Sequence, residues 1–294
     1  MNENKPLPTY KRQRFLLAFI TQLMEGITAT DLQKLIFLYT MQEEGDVYYD
    51  FTPYKYGAYS FQLNQDVTIL CNAGFLYYQT TQTGSQIIRS NSNFDEVTTF
   101  TQVNERGDAL KRKAYREYPY YTINSEIINK LFHGKERERF INERCKYLQE
   151  SQVLLTIGYE GLSVEAFCNT LIQNDARILC DVRKNPISRK FGFSKSKLKH
   201  ILDTVGIKYV HLPDLGIDSS KRSSLCGADD YFNLFAEYSK NLTNLSSQIE
   251  QISTLLSSDN RVAIMCYEKE PNLCHRHVIR DYIIAQHGIR SEDL

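Results

Sequence analysis

The sequence predicts an α/β protein: a C-terminal, mostly parallel sheet covered by helices, preceded by a mainly helical, winged-helix-like domain. Three observations carry this. From Val153 onward, short unbroken apolar runs alternate with helically spaced ones, the pattern of strands buried on both faces. Before Asn91, helical spacing dominates and closes on two short strand-like runs around a glycine turn. Polar residues of unusual type follow the apolar runs directly, at what would be the carboxyl ends of strands.

The N-terminal elements follow in order. Residues 13–44 read as two helices. Phe15, Leu16, Phe19, Ile20 and Leu23 share the face of the first, which Gly26 stops. Thr30 or Asp31 caps the second, with Leu32, Leu35, Ile36 and Tyr39 on its apolar face. Residues 50–59 are an aromatic connection punctuated by Pro53 and Gly57, and a helix over about 60–72 ends at Asn72-Ala73-Gly74. Phe75-Leu76-Tyr77-Tyr78 and Gln86-Ile87-Ile88-Arg89 flank the turn Thr83-Gly84-Ser85. Helices followed by a hairpin are the grammar of a winged helix-turn-helix. The stretch Tyr54-Lys55-Tyr56-Gly57-Ala58-Tyr59-Ser60 resembles one that precedes a helix in small modules of DNA-associated and defence-related bacterial proteins. A helical dimerisation or protein-interaction module is the alternative reading. Domain limits are set at 1–105 for this module, 106–150 for a polar helical linker and 151–294 for the α/β domain, with the junction near 148–152.

In the α/β half, Val153-Leu154-Leu155-Thr156-Ile157 is the first strand and Arg177 to Val182 the second. Lys208 to Leu212 is the third, and Arg261 to Cys266 the fourth. Helices fall between them: Val164 to Ile172, Phe193 to Val205, one long helix over about 229–257, and a last one over 273–286.

A chain of 294 residues can bury two cores, and 35 Lys+Arg against 35 Asp+Glu leave its net charge uninformative about partners. Seven scattered cysteines read as reduced thiols in a cytoplasm. The apolar run after Lys11-Arg12-Gln13-Arg14 is only six residues, too short for a leader or an anchor, and no run reaches the roughly 20 residues that span a bilayer. The expectation is a cytoplasmic protein with no membrane partner. Self-association is left open.

Each strand end delivers candidates. The first gives Tyr159 and Glu160, and the second gives Asp181 and Arg183, then Ser188 and Arg189. The third gives His211, and the fourth gives Cys266 and Glu268, then Cys274, His275 and Arg276. With Asn272 as cap, Cys274, His275 and Arg276 would lie in the first turn of the last helix, where free N–H groups and a guanidinium suit an anion. Three chemistries compete there. A cysteine-nucleophile loop would need Arg276 closer to Cys266 than ten residues away. A zinc site of Cys266, Cys274, His275 and His277 is disfavoured because Cys274 and His275, adjacent on a helix, point apart. Acid/base hydrolysis by Glu268 or Asp181, with arginines on phosphates, is preferred, so neither metal nor cofactor is expected. Residues 183–222 carry ten Lys/Arg against three Asp, 10 − 3 = +7, a footprint for nucleic acid or nucleotides.

The same residues carry a resemblance. Thr156-Ile157-Gly158-Tyr159-Glu160-Gly161, Asp181-Val182-Arg183 with Pro186 and Ser188-Arg189, and Phe193-Ser194-Lys195 come first. Tyr209-Val210-His211-Leu212-Pro213 with Leu215-Gly216, and Cys266-x-Glu268 with Cys274-His275-Arg276, follow in order. Together they resemble domain-of-unknown-function family 488 over 153–294. The resemblance implies a bacterial-type α/β domain with this residue set as its site. The segment after Gly216, Ile217 to Arg222, departs from the commoner family form, which bears on substrate choice.

Two roles are assigned. Glu268, Asp181, Cys266, Cys274 and His275 are the catalytic candidates. Tyr159, Glu160, Arg183, Ser188, Arg189, His211, Arg222 and Arg276 are the substrate-binding candidates. The expected function is a hydrolase acting on nucleic acid or nucleotides, a nuclease or a modified-base glycosidase, in bacterial defence or DNA processing. The alternatives are a DNA- or RNA-binding regulator that senses a small anion, and sulfur transfer through Cys266 or Cys274.

Overall fold

The computed structural model describes residues 7–42, 48–91, 103–221, 227–259 and 261–294, and the chain divides into two compact units, Met1–Arg144 and Cys145–Leu294. No helix among the described residues is long and apolar enough to cross a membrane.

The first unit contains α1 (Lys11–Thr21), α2 (Ala29–Gln42), β1 (Thr52–Tyr54), β2 (Gly57–Tyr59), α3 (Phe61–Asn72), β3 (Leu76–Thr80) and β4 (Gln86–Ser90). It continues through α4 (Gly107–Glu117), α5 (Ile128–Leu131) and α6 (Gly134–Ile141). The apolar faces of α1, α2 and α3 close on one core that includes Leu16, Leu17, Ile36, Phe37, Leu63 and Leu70. That core also takes Leu110 and Ala114 of α4, so residues expected in a linker contribute to the first unit. Residues 52–59, expected as a connection, form an antiparallel hairpin pairing Thr52 with Tyr59. Two polar side chains of α2 hold it: Gln33 exchanges two hydrogen bonds with the Ser60 backbone (2.8 and 3.0 Å), and Lys34 Nζ donates to the Ala58 carbonyl at 2.6 Å. Strands of three residues are too short for an alternating pattern to show in sequence.

Lys34 is buried at 2% exposure, and burial lowers its pKa to about 7, helped by the Lys111 charge and opposed by Asp31. Its folded pKa therefore lies below the unfolded value near 10.4. Between the two, the unfolded chain binds the extra proton, so stability rises with pH; below about 7 both states are protonated and this group adds no further change. In urea unfolding from pH 7 to about 9.5, below the tyrosine range, the wild-type first unit should gain up to about 1.4 kcal/mol per pH unit. Lys34→Met should flatten that rise. An equal slope in both proteins would refute the assignment.

The second unit contains β5 (Val153–Gly158), α7 (Val164–Gln173), β6 (Ile178–Asp181), α8 (Lys195–Thr204) and β7 (Lys208–His211). After these come α9 (Ala228–Asn241), α10 (Ser246–Asp259), β8 (Arg261–Cys266), α11 (Arg276–His287) and β9 (Ser291–Asp293). The five strands form one parallel sheet in the order β7-β6-β8-β5-β9. Leu154, Cys180, Val262 and Ile264 face Ile249, Ile252, Leu256, Ile279 and Ile283 of α10 and α11. Alternate residues Leu155, Leu179 and Ala263 point to the other face and are equally buried, which is why these strands read as unbroken apolar runs.

The long helix expected over 229–257 is broken by a 3₁₀ turn at Leu242–Leu245. Thr243 Oγ1 donates back to the Lys240 carbonyl (3.0 Å) while Leu242 is fully buried, so local bonding and packing win over the continuous helical pattern. The last helix begins at Arg276 rather than 273. Pro271–Leu273 form a 3₁₀ turn and Cys274 is extended (φ −134°, ψ 136°). Strand β9, which the sequence reading lacked, adds a short edge beside β5.

Candidate functional site

Register sets the site. Gly158 pairs with Cys266, and Asp181 pairs with both Met265 and His211, so the strands that carry the candidates end at one level. Pairing continues one step further: Glu160 N–H donates to the Tyr267 carbonyl (2.9 Å) and Val182 N–H to the Met265 carbonyl (3.1 Å).

Asp181 lies fully buried at the end of β6. Its Oδ1 accepts from the Arg183 backbone N–H (3.1 Å) and Nε (2.8 Å), and its Oδ2 from Arg183 Nη2 (2.6 Å) and the Tyr209 hydroxyl (2.7 Å). Arg183 Nη1 donates to the Tyr159 hydroxyl at 3.0 Å, and the Tyr159 ring stacks on Phe193 with centroids 4.2 Å apart. Burial works against the Arg183 charge, but the bonds to Asp181 and its charge hold the guanidinium above its ordinary range. Burial, then Asp181, raises Tyr209 as well. This network is a saturated buried ion pair: Asp181, Arg183 and Tyr159 are brought together, but as a brace that offers no open face to a substrate.

Arg276 is likewise internal. Its Nη1 donates to the Glu268 carbonyl, its Nη2 to the Lys269 carbonyl (2.8 Å) and its Nε to Thr156 Oγ1 (3.3 Å). It is fully buried, so the anion site expected at this helix start is replaced by a guanidinium that satisfies loop carbonyls. The loop is pressed onto β5 at Gly158, where an added Cβ would meet the Glu268 carbonyl oxygen at 1.8 Å. Gly216 is constrained in the same way, with a Cβ meeting the Lys184 nitrogen at 2.1 Å.

Cys266, Cys274 and His275 converge, each 1% exposed. His275 Nδ1 lies 3.8 Å from Cys266 Sγ and 3.9 Å from Cys274 Sγ. Because Cys274 is extended and only Arg276 opens the helix, the two neighbours converge, and the objection from adjacent helical positions does not hold. Burial, then contact with Cys266, pushes the Cys274 thiol well above its usual range, which makes it a weak nucleophile in this state. His277 is turned away, its Nδ1 on the carbonyls of Cys274 (2.6 Å) and Pro271 (3.1 Å).

The remaining candidates lie around the rim, Glu268 with its Oε2 shielded from solvent. Glu160 is exposed and its Oε2 accepts from the Lys269 N–H (3.0 Å), while Glu268 is half-buried. His211 Nε2 donates to the Arg183 carbonyl (3.0 Å), which leaves Nδ1 to accept from Lys195 Nζ (3.0 Å). Ser188 Oγ accepts from the Lys190 N–H, and Ser188 exchanges two bonds with Ser194, which folds residues 186–195 into a compact loop. Arg189 is exposed on that loop, and Arg222 lies outside the described residues.

The local excess of cations is partly consumed: Arg183 pairs with Asp181, Lys184 with Asp214, Lys199 with Asp203 and Lys221 with Glu237. Among the described residues, Arg189, Lys190, Lys195 and Lys197 make no ion pair. Tyr209, Thr156 and Gly158 stood in the quoted motifs without an assigned role, because their roles are contacts with distant segments.

Residues 163–283 match the family model described as Domain of unknown function DUF488. The match takes in Asp181, Arg183, His211 and the Cys266 to Arg276 segment; β5, with Tyr159 and Glu160, lies outside it. No curated protein and no solved structure matches the chain.

Proposed function

We propose that the C-terminal unit binds the phosphate backbone of a nucleic acid, or of a nucleotide, along the rim formed by residues 184–197. One observation carries this reading: Arg189 and Lys190 lie on the folded loop after β6, and Lys195 and Lys197 in the first turn of α8 that follows it, none of them ion-paired. Aromatic surface adjoins them, since Lys197 lies over the Phe191 ring (5.4 Å) and Tyr267 is exposed. Loops beyond strand ends are where a parallel sheet presents ligands. The internal saturation of Asp181 and Arg276 favours binding over chemistry at those two groups.

The check is fluorescence anisotropy of the full chain with labelled DNA and RNA, single- and double-stranded, over a salt series. Affinity should fall linearly on a log–log plot, and Arg189→Gln with Lys195→Gln should reduce the slope by about 2, roughly 0.9 for each phosphate contact on duplex DNA. Affinity indifferent to salt, or a slope the double variant leaves unchanged, defeats the proposal.

Hydrolysis is the second reading, and Glu160 supports it: an exposed carboxylate held against the loop that carries Glu268, beside the cationic rim. Incubation with plain and modified DNA or RNA should then give a product lost in Glu160→Gln or Glu268→Gln. Binding without any product leaves the regulator role.

A further inference from the structure

We propose that Cys266, Cys274 and His275 form a metal site for a zinc-class divalent ion, held by two thiolates and the imidazole Nδ1. The three ligand atoms all lie within 4.8 Å of one another. In a tetrahedral site with zinc–sulfur near 2.3 Å and zinc–nitrogen near 2.05 Å, sulfur and nitrogen stand about 3.6 Å apart. The observed separations of 3.8 and 3.9 Å are a few tenths wider, within reach of small side-chain rotations.

The backbone builds this arrangement deliberately. Cys266 is fixed at the end of β8 by its pairing with Gly158. Cys274 is extended and His275 turns into helical geometry (φ −58°, ψ −14°), and that change between neighbours points both side chains at one place. The imidazole is oriented from behind: Nε2 donates to the Val182 carbonyl at 3.2 Å, which sets the tautomer with its lone pair on Nδ1. A ligand histidine whose other nitrogen is held by a backbone carbonyl is the usual outer-shell arrangement of metal sites. The Tyr238 ring meets the His275 ring edge to face at 5.6 Å and limits its rotation.

The donor set decides the class of ion. Two sulfurs and one imidazole nitrogen favour zinc-like, borderline-soft cations over magnesium or calcium, which take oxygen. Charge balances as well. Each thiol releases a proton as the ion enters, and two thiolates with one divalent ion sum to zero, so the site can remain buried without an unpaired charge. Arg276 does not compete for the thiolates, because its guanidinium is held by Thr156 and by the carbonyls of Glu268 and Lys269. Bound there, the ion would clip the start of α11 to the end of β8 and close the loop that carries Glu268. The inference is independent of any nucleic-acid role, because none of its three ligands belongs to the cationic rim.

The test is metal analysis of the full-length chain purified without chelator, followed by replacement with Co²⁺. The expected result is one zinc per chain, and on replacement a thiolate-to-cobalt charge-transfer band with the visible bands of a tetrahedral ion. Cys266→Ser and Cys274→Ser should each remove the charge-transfer band or halve its intensity, and the double variant should bind no metal. Cys145→Ser, an exposed cysteine outside the cluster, should leave metal content unchanged. A wild-type chain that takes up neither Zn²⁺ nor Co²⁺ overturns the proposal, as does stoichiometric metal in the double serine variant. If the serine variants do not fold, the wild-type cobalt spectrum decides by itself: octahedral oxygen-type bands without charge transfer refute the site.

Discussion

Replacing Asp181 with Ala should cost the C-terminal unit about 3–5 kcal/mol, the range for breaking a buried ion pair from one side. The carboxylate receives four hydrogen bonds, three from Arg183 and one from Tyr209. Its removal strands a guanidinium that is only 6% exposed, together with a buried hydroxyl. Arg183→Ala should cost a similar amount for the mirror reason. The double variant should cost less than the sum of the two, because the second truncation removes a group the first had already orphaned. Urea unfolding of the full chain, following the transition of the C-terminal unit, measures all three. An unchanged midpoint for Asp181→Ala would mean that the brace contributes nothing, and would return Asp181 to the list of working acids.

Gly158→Ala should destabilise the same unit by about 3 kcal/mol, the upper end of ordinary overpacking. A Cβ at that position would stand 1.8 Å from the Glu268 carbonyl oxygen and 2.6 Å from its carbonyl carbon, and backbone cannot yield as a side-chain tip can. To relieve the overlap the loop after β8 must move off β5, which loosens the bonds from Arg276 to the Glu268 and Lys269 carbonyls. Gly161 provides the comparison. It has a left-handed φ of +80° but nothing within 4 Å of an added Cβ, so Gly161→Ala should cost only about 1 kcal/mol. Gly158 itself lies in ordinary strand backbone, so a loss there no larger than at Gly161 would show that the loop yields to the added methyl and that the close contact is not what requires glycine.

The Gly158 contact and the Tyr209 bond join segments far apart in sequence, and the turn of Arg183 back onto Asp181 is a side-chain conformation, which marks the limit of what could be read in advance. Strands β5, β6 and β8 were legible because burial on both faces leaves continuous apolar runs, and the edge strand β7 was legible from its short run between α8 and Pro213. Legible too was the set of polar residues at their carboxyl ends, since strand polarity alone places them there. The partners of those residues were not legible. Asp181 looked like a candidate acid, and only Arg183 folding back over it, with Tyr209 arriving from β7, shows that it is spent. Arg276 looked like an anion ligand until the helix start moved to that residue and turned its guanidinium onto the loop.

The sequence by itself determined that the chain has two halves of different grammar, that the second is a parallel α/β sheet, and that its chemistry-bearing residues share one edge. It did so because periodicity and strand direction are local properties, written in neighbouring residues. Tertiary structure alone decided which of those residues face solvent and which are consumed. Asp181, Arg183 and Arg276 went inside as braces, while Glu160, Arg189 and His211 stayed on the rim. It also decided that Cys266, Cys274 and His275 meet, because their convergence depends on a single backbone change between Cys274 and His275 and on the Val182 carbonyl, just past β6, behind the ring. The Cys266 to Arg276 segment is thus legible as important from its residue types, but what each residue does there is set by what the fold places opposite it.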